Sequence, residues 1–187
     1  MRNLFDPAAY DIPETGVTFS CDNAALQAVF DDCEQLLKQN VQDFGGRKVL
    51  IEGAAYRNVW LETQPMGGEM YWKRNMTAAM NNQLLFMRTQ RADGRIAGSI
   101  QCHPDGTIEP QFNKFQGFCF PLHALNMWYL SGKEPAYLDM LADCLEKFDA
   151  YLWKTRDSDG DGCLESFCVY DTGEDNAMRY GHAPVYC

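Results

Sequence analysis

Apolar residues recur at three- and four-residue steps in four separate stretches of this chain, and no stretch sustains a two-residue alternation. Such spacing keeps one face of an α-helix apolar and the opposite face wet. In SCDNAALQAVFDDCEQLLKQNV, Leu26, Val29, Phe30, Cys33, Leu36 and Leu37 share a face, while Asp31, Asp32 and Glu34 lie on the other. Ser20, Asp22 and Asn23 offer N-caps, and Gly45-Gly46 is a natural stop. A second helix is predicted over about residues 71–89, with Met76, Ala79, Met80, Leu84 and Met87 inward, ending before the Asp93-Gly94 turn. A third covers about residues 117–130 and is apolar on most faces, which predicts an inner position. A fourth opens at Glu134-Pro135 and carries Tyr137, Leu138, Leu141, Leu145, Phe148 and Leu152. Only residues 48–51 and 166–170 read as short strands, so the expected fold class is all-α.

With 187 residues, 46% of them hydrophobic, the chain can bury the core of one domain. Its formal net charge of -10, with Lys and Arg scattered singly, offers no basic stripe for nucleic acid or an anionic membrane. No segment approaches the roughly 20 apolar residues of a membrane helix, and the N-terminus has no signal-like apolar run. A cytoplasmic setting is expected, in which the eight cysteines are buried thiols more often than disulfides.

Two long loops carry the polar and glycine-rich residues that could do chemistry. One contains LETQPMGGEMY and the other LESFCVYDTGEDNAMRY, and each follows an amphipathic helix. In a stack of helical hairpins such equivalent loops project from one end, which would gather both around one mouth.

The segment GEDNAMRY is similar to the Gly-x-Asp-Asn-Ser-x-Arg pattern of glycoside hydrolase family 63 and its relatives. EGAAYRNVWLETQPMGGEMYWKRNM, NNQLLFMRTQRADGRIAGSI and YLWKTRDSDGDGCLES also resemble the first half of that catalytic domain, so the resemblance runs from about residue 19 to the end. It implies an (α/α)6 toroid built of helical hairpins. Residues 1–18 would be a lead-in, and residues 19–187 the first half of the ring, its second half lying in further sequence or another chain. It also implies inverting hydrolysis of an α-glucoside, an α-mannoside or a small sugar conjugate, with Asp175 as the general acid.

Inversion needs one carboxyl to protonate the departing oxygen and another carboxylate to deprotonate the attacking water from the opposite face. The family's base is a Glu in the second half of its domain, and no residue of this chain is assigned that role. Ala177 stands where the pattern has Ser. Near neutral pH the acid needs a raised pKa, which burial by Trp60 or Tyr180 and neighbouring Asp171 or Glu165 could provide. Trp60, Glu62, Gly68, Glu69, Tyr71, Asp171, Asn176 and Arg179 are the expected substrate-binding residues. Glycine permits close backbone approach, the ring of Trp60 can stack on a sugar, and the polar groups can bind hydroxyls.

No cofactor is expected. Asp157, Asp159 and Asp161, followed by Gly162 and Glu165, fit positions of a calcium-binding EF-hand loop, but Cys168 occupies the place of its bidentate Glu. A turn closed by Asx hydrogen bonds is expected there, with calcium as the lesser reading. Cys102, His103, Cys119 and His123 lack zinc-site spacing. The expectation from another functional class is a non-catalytic carbohydrate-binding or scaffold module that pairs with a second chain.

Overall fold

The computed structural model describes residues 16–53, 57–115, 120–171, 173, 178–182 and 184. Within them lie the helices α1 (Ala24–Gln39), α2 (Gln64–Tyr71), α3 (Met76–Arg88), α4 (Phe120–Leu130) and α5 (Pro135–Arg156). The strands are β1 (Val41–Asp43), β2 (Lys48–Leu50), β3 (Asn58–Trp60), β4 (Ser99–Cys102) and β5 (Ile108–Gln111). Two antiparallel sheets, β1-β2 and β3-β4-β5, make the described fold mixed α/β, and this overturns the expectation of an all-α part of an (α/α)6 toroid built of helical hairpins. β2 falls within the strand expected at residues 48–51, whereas β1, β3, β4 and β5, only three or four residues long, print no alternation on the sequence.

α1 starts where its cap predicts. The Asn23 side chain accepts hydrogen bonds from the backbone N–H groups of Ala25 and Leu26 at 3.0 and 3.2 Å. It lies on the outside, however, with none of its residues buried, and Leu26, Val29 and Leu36 are exposed. The helix predicted over about residues 71–89 is α3, which starts only at Met76 after a turn at residues 72–75. α2 occupies sequence expected to be loop. Pro65 stands in its first turn, where a missing N–H costs nothing. Gly68 is set by packing, since a Cβ there would fall 2.8 Å from the Asn82 Cβ on α3.

α3 is the centre of the molecule, buried from Ala78 to Met87. Three consecutive polar residues on it are buried as staples. The Asn82 carboxamide accepts from Leu50 N–H and donates to the carbonyls of Leu50 and Gln64, Asn81 donates to Lys48, and Gln83 donates to Pro65. These bonds hold β2 and the start of α2 against α3 without leaving the backbone groups dry and unpaired. Leu61, Met80, Leu84, Phe86, Ile96, Ile100, Phe115, Phe120, Met127, Tyr137 and Leu141 fill the core between α3, the three-stranded sheet, α4 and α5. α4 buries only Phe120, Ala124 and Met127, while Leu122 and Tyr129 are exposed, so it is less enclosed than its composition predicts. The Tyr137 hydroxyl donates to the Ala124 carbonyl at 2.8 Å and ties α5 to it.

No described helix is long and apolar enough to cross a membrane. The short strand expected over residues 166–170 is replaced by a 3-10 turn at Val169–Asp171.

Candidate functional site

The end of β3 sets the first side of the site. Trp60 pairs with Ser99 across the sheet, and Leu61, fully buried, donates its N–H to the Gly98 carbonyl at 2.9 Å. Trp60 N–H also donates to the Gln64 side chain, fixing the sharp passage from β3 into α2. Between these anchors Glu62 is half-buried, and its carboxylate lies against Gly173, where an added Cβ would overlap it. Gly173 has φ +71°, in the region that favours glycine. The first acidic loop and the one leading into GEDNAMRY therefore meet, and the contact is Glu62 on Gly173.

Two residues before Gly173 in the chain, Asp171 takes part in a buried ion pair. The Arg156 guanidinium, at the end of α5, donates to Asp171 at 2.5 Å, with side chains 5% and 0% exposed. The same Asp171 oxygen accepts the backbone N–H groups of Phe167 and Cys168 at 2.6 and 3.3 Å, so the carboxylate shapes the 3-10 turn. The guanidinium also stands 4.2 Å from the Phe115 ring centroid and 4.8 Å from that of Phe167. Asp171 is buried in this role and its charge is compensated.

Other expected residues go elsewhere. Glu69 accepts from His123 Nδ1 at 2.7 Å and Asn126 Nδ2 at 2.9 Å, joining α2 to α4. Gly68 faces α3, and Tyr71 is buried beside Leu50 and Ala78. Tyr71 also borders a cleft of about 360 Å³ formed with Glu34, Lys38, Lys48 and Arg74. Arg179 is exposed on the 3-10 turn Met178–Tyr180. Asp175 and Asn176, with Ala177, lie outside the described residues, as does the side chain of Tyr180. The structure thus brings Trp60, Glu62 and Asp171 to one region and turns Gly68, Glu69 and Tyr71 toward helix packing.

Lys114 belongs to this region and was missed in the sequence. Its Nζ stands 4.1 Å from the Trp60 ring centroid and 5.2 Å from that of Tyr170. A lone Lys between Asn113 and Phe115 has no motif around it; the detectable signal was Gly98, whose missing side chain leaves room for the Lys114 carbonyl.

The Asp-rich loop after α5 brings carboxylate oxygens of Asp157, Asp159 and Glu165 within 4.8 Å of one another, a group that could hold a metal ion. Asp161 stands apart from it and accepts Cys163 N–H at 2.8 Å. Asp159 accepts Asp161 N–H at 3.2 Å, the Asx bonding expected of a turn. Glu165 spans the loop to Ser158 N–H at 2.9 Å.

The described cysteines are thiols, Cys33 and Cys163 exposed, Cys21 half-buried and Cys102, Cys144 and Cys168 buried. Burial pushes the Cys144 thiol up to about 12, which makes it inert. No protein-family model, curated protein or solved structure matches this chain.

Proposed function

We propose that this chain carries the general acid of an inverting glycoside hydrolase related to family 63. It would act in the cytoplasm on an α-glucoside, an α-mannoside or a small sugar conjugate, with Asp175 as general acid. The observation that supports this reading best is the meeting of Glu62 with Gly173. It sets a carboxylate and the nearby Trp60 ring beside the loop that runs on to Asp175. A sugar can stack on the indole, and Glu62 can accept hydrogen bonds from ring hydroxyls. Asp175 would protonate the leaving oxygen as the glycosidic bond breaks, while a base Glu outside these 187 residues deprotonates the attacking water. A negative neighbour such as Glu62 would favour the protonated acid. In the Asp157–Asp159–Glu165 group the ion best suited to hard oxygen donors is calcium. A melting temperature raised by calcium and not by magnesium would establish it.

The test is hydrolysis of aryl α-glycosides and disaccharides by the natural full-length protein, wild type against Asp175→Asn. Loss of the acid is expected to cost roughly 10²- to 10⁴-fold in rate on disaccharides. The cost should be smaller on aryl glycosides, whose leaving groups need less protonation. Equal activity of both proteins on disaccharides would sink the assignment, and the first anomer formed reports inversion. The second reading, a non-catalytic carbohydrate-binding or scaffold module that pairs with another chain, draws on the exposed Leu122, Leu125 and Tyr129 of α4. It predicts sugar binding that survives Asp175→Asn with no turnover in either protein.

A further inference from the structure

We propose that Lys114 is a positioning residue for sugar binding, holding the Trp60 indole in the orientation in which a ring can stack on it. The inference rests on the glycosidase reading above. Its basis is that two segments distant in sequence from each other and from Lys114 meet at its ammonium group. Lys114 Nζ is 4.1 Å from the centroid of Trp60, at the end of β3, and 5.2 Å from that of Tyr170, in the turn before Gly173. Both distances lie inside the range in which a cation is attracted by a ring face.

The lysine is held from behind. An added Cβ at Gly98 would come within 2.3 Å of the Lys114 carbonyl oxygen, so the two backbones are in close contact. Arg95 Nη2 donates to the same carbonyl at 3.5 Å. Gly98 is itself fixed between β3 and β5, donating to Gln111 and accepting from Leu61. The next residue, Phe115, is fully buried and carries the Arg156 guanidinium over its ring. Consecutive residues thus serve two layers: Phe115 packs against the Arg156–Asp171 pair, and Lys114 engages the two outer rings.

Trp60 is only half-buried, and a ring with one face pinned by an ammonium loses little freedom when a ligand stacks on it. Removing the charge should therefore weaken binding and leave the bond-breaking step alone.

Lys114→Met, Lys114→Gln and Lys114→Arg would be compared with wild type, with Trp60→Phe used to isolate the Trp60 emission by difference. In the Met and Gln variants acrylamide quenching of that emission is expected to rise about twofold, and KM to rise about three- to tenfold with kcat nearly unchanged. Lys114→Arg, which keeps the cation, should restore both. Unchanged quenching in folded Met or Gln variants would overturn the proposal, as would a fall in kcat at constant KM. If wild type hydrolyses no glycoside, the glycosidase reading fails, and quenching still decides whether Lys114 holds the ring.

Discussion

The carboxylate of Glu62 occupies the space that a side chain at Gly173 would need. This relationship makes the two loops interdependent, because Glu62 follows β3 while Gly173 follows the turn built by Asp171. Gly173→Ala adds a methyl group at a φ of +71° and pushes on the movable end of Glu62. The backbone strain should cost about 1 kcal/mol. If the chain hydrolyses glycosides as proposed, displacing the carboxylate should cost hydrolysis about tenfold or more, since small misplacements near a reacting bond are amplified. Thermal melts and kcat/KM together test this. A large stability loss with unaltered specific activity of the folded fraction would show that the contact only packs.

The Arg156–Asp171 pair should behave as a buried ion pair whose halves cannot be removed singly. Arg156→Met leaves an uncompensated carboxylate at 0% exposure, and urea unfolding should show a loss of about 3–5 kcal/mol. Replacing both, Arg156→Met with Asp171→Leu, should recover part of that loss. The turn at Val169–Asp171 would still loosen, because the backbone N–H groups of Phe167 and Cys168 lose their acceptor.

Long amphipathic elements could be read directly from the sequence. α5 buries Tyr137, Leu141, Phe148 and Leu152, all expected from its apolar spacing, because 22 residues give that pattern room to repeat. Elements set by tertiary contact could not. β5 carries Pro110 paired with Ile100 at the sheet edge, where a missing donor is tolerated. α2 contains one proline and two glycines, which by propensity mark a loop. The packing of Gly68 on α3 overrides that preference. The gathering of Trp60, Glu62 and Asp171 in one region was legible because they lie in or beside the two loops expected to meet. The burial of Asp171 was not, because its partner Arg156 sits in the last turn of a helix read only for its apolar face.

Gly68→Ala separates packing from ligand contact at a residue first expected to line the pocket. The added methyl group would meet Asn82 Cβ at 2.8 Å and the Ala79 carbonyl oxygen at 3.0 Å, and neither can swing away. Overpacking of this kind should cost about 1–3 kcal/mol by denaturant unfolding. KM of the folded fraction should be unaltered. A raised KM at unchanged stability would instead return Gly68 to the ligand.

α1 should loosen in acid before the rest of the chain. Its described tether to the body includes Glu34, which accepts Arg74 Nε and Nη2 in a forked pair, with side chains 16% and 22% exposed. The Arg74 hydrogen bonds hold the Glu34 carboxyl below its ordinary value of 4.5. Because the folded state binds this proton less readily than the unfolded chain, the pair's contribution is fully present above pH 4.5. It is lost as pH falls through the depressed folded value. For a partly exposed pair that contribution is about 0.5–1 kcal/mol. α1 buries no residue, so the loss should appear as local opening. Hydrogen exchange of α1 amides should show protection about two- to fivefold lower in Glu34→Gln than in wild type at neutral pH. The difference should vanish as the wild type is acidified below pH 4.5, while α3 amides stay protected in both. A difference that persists undiminished in acid would assign the tether to packing by Phe30 and Leu37 instead of to the ion pair.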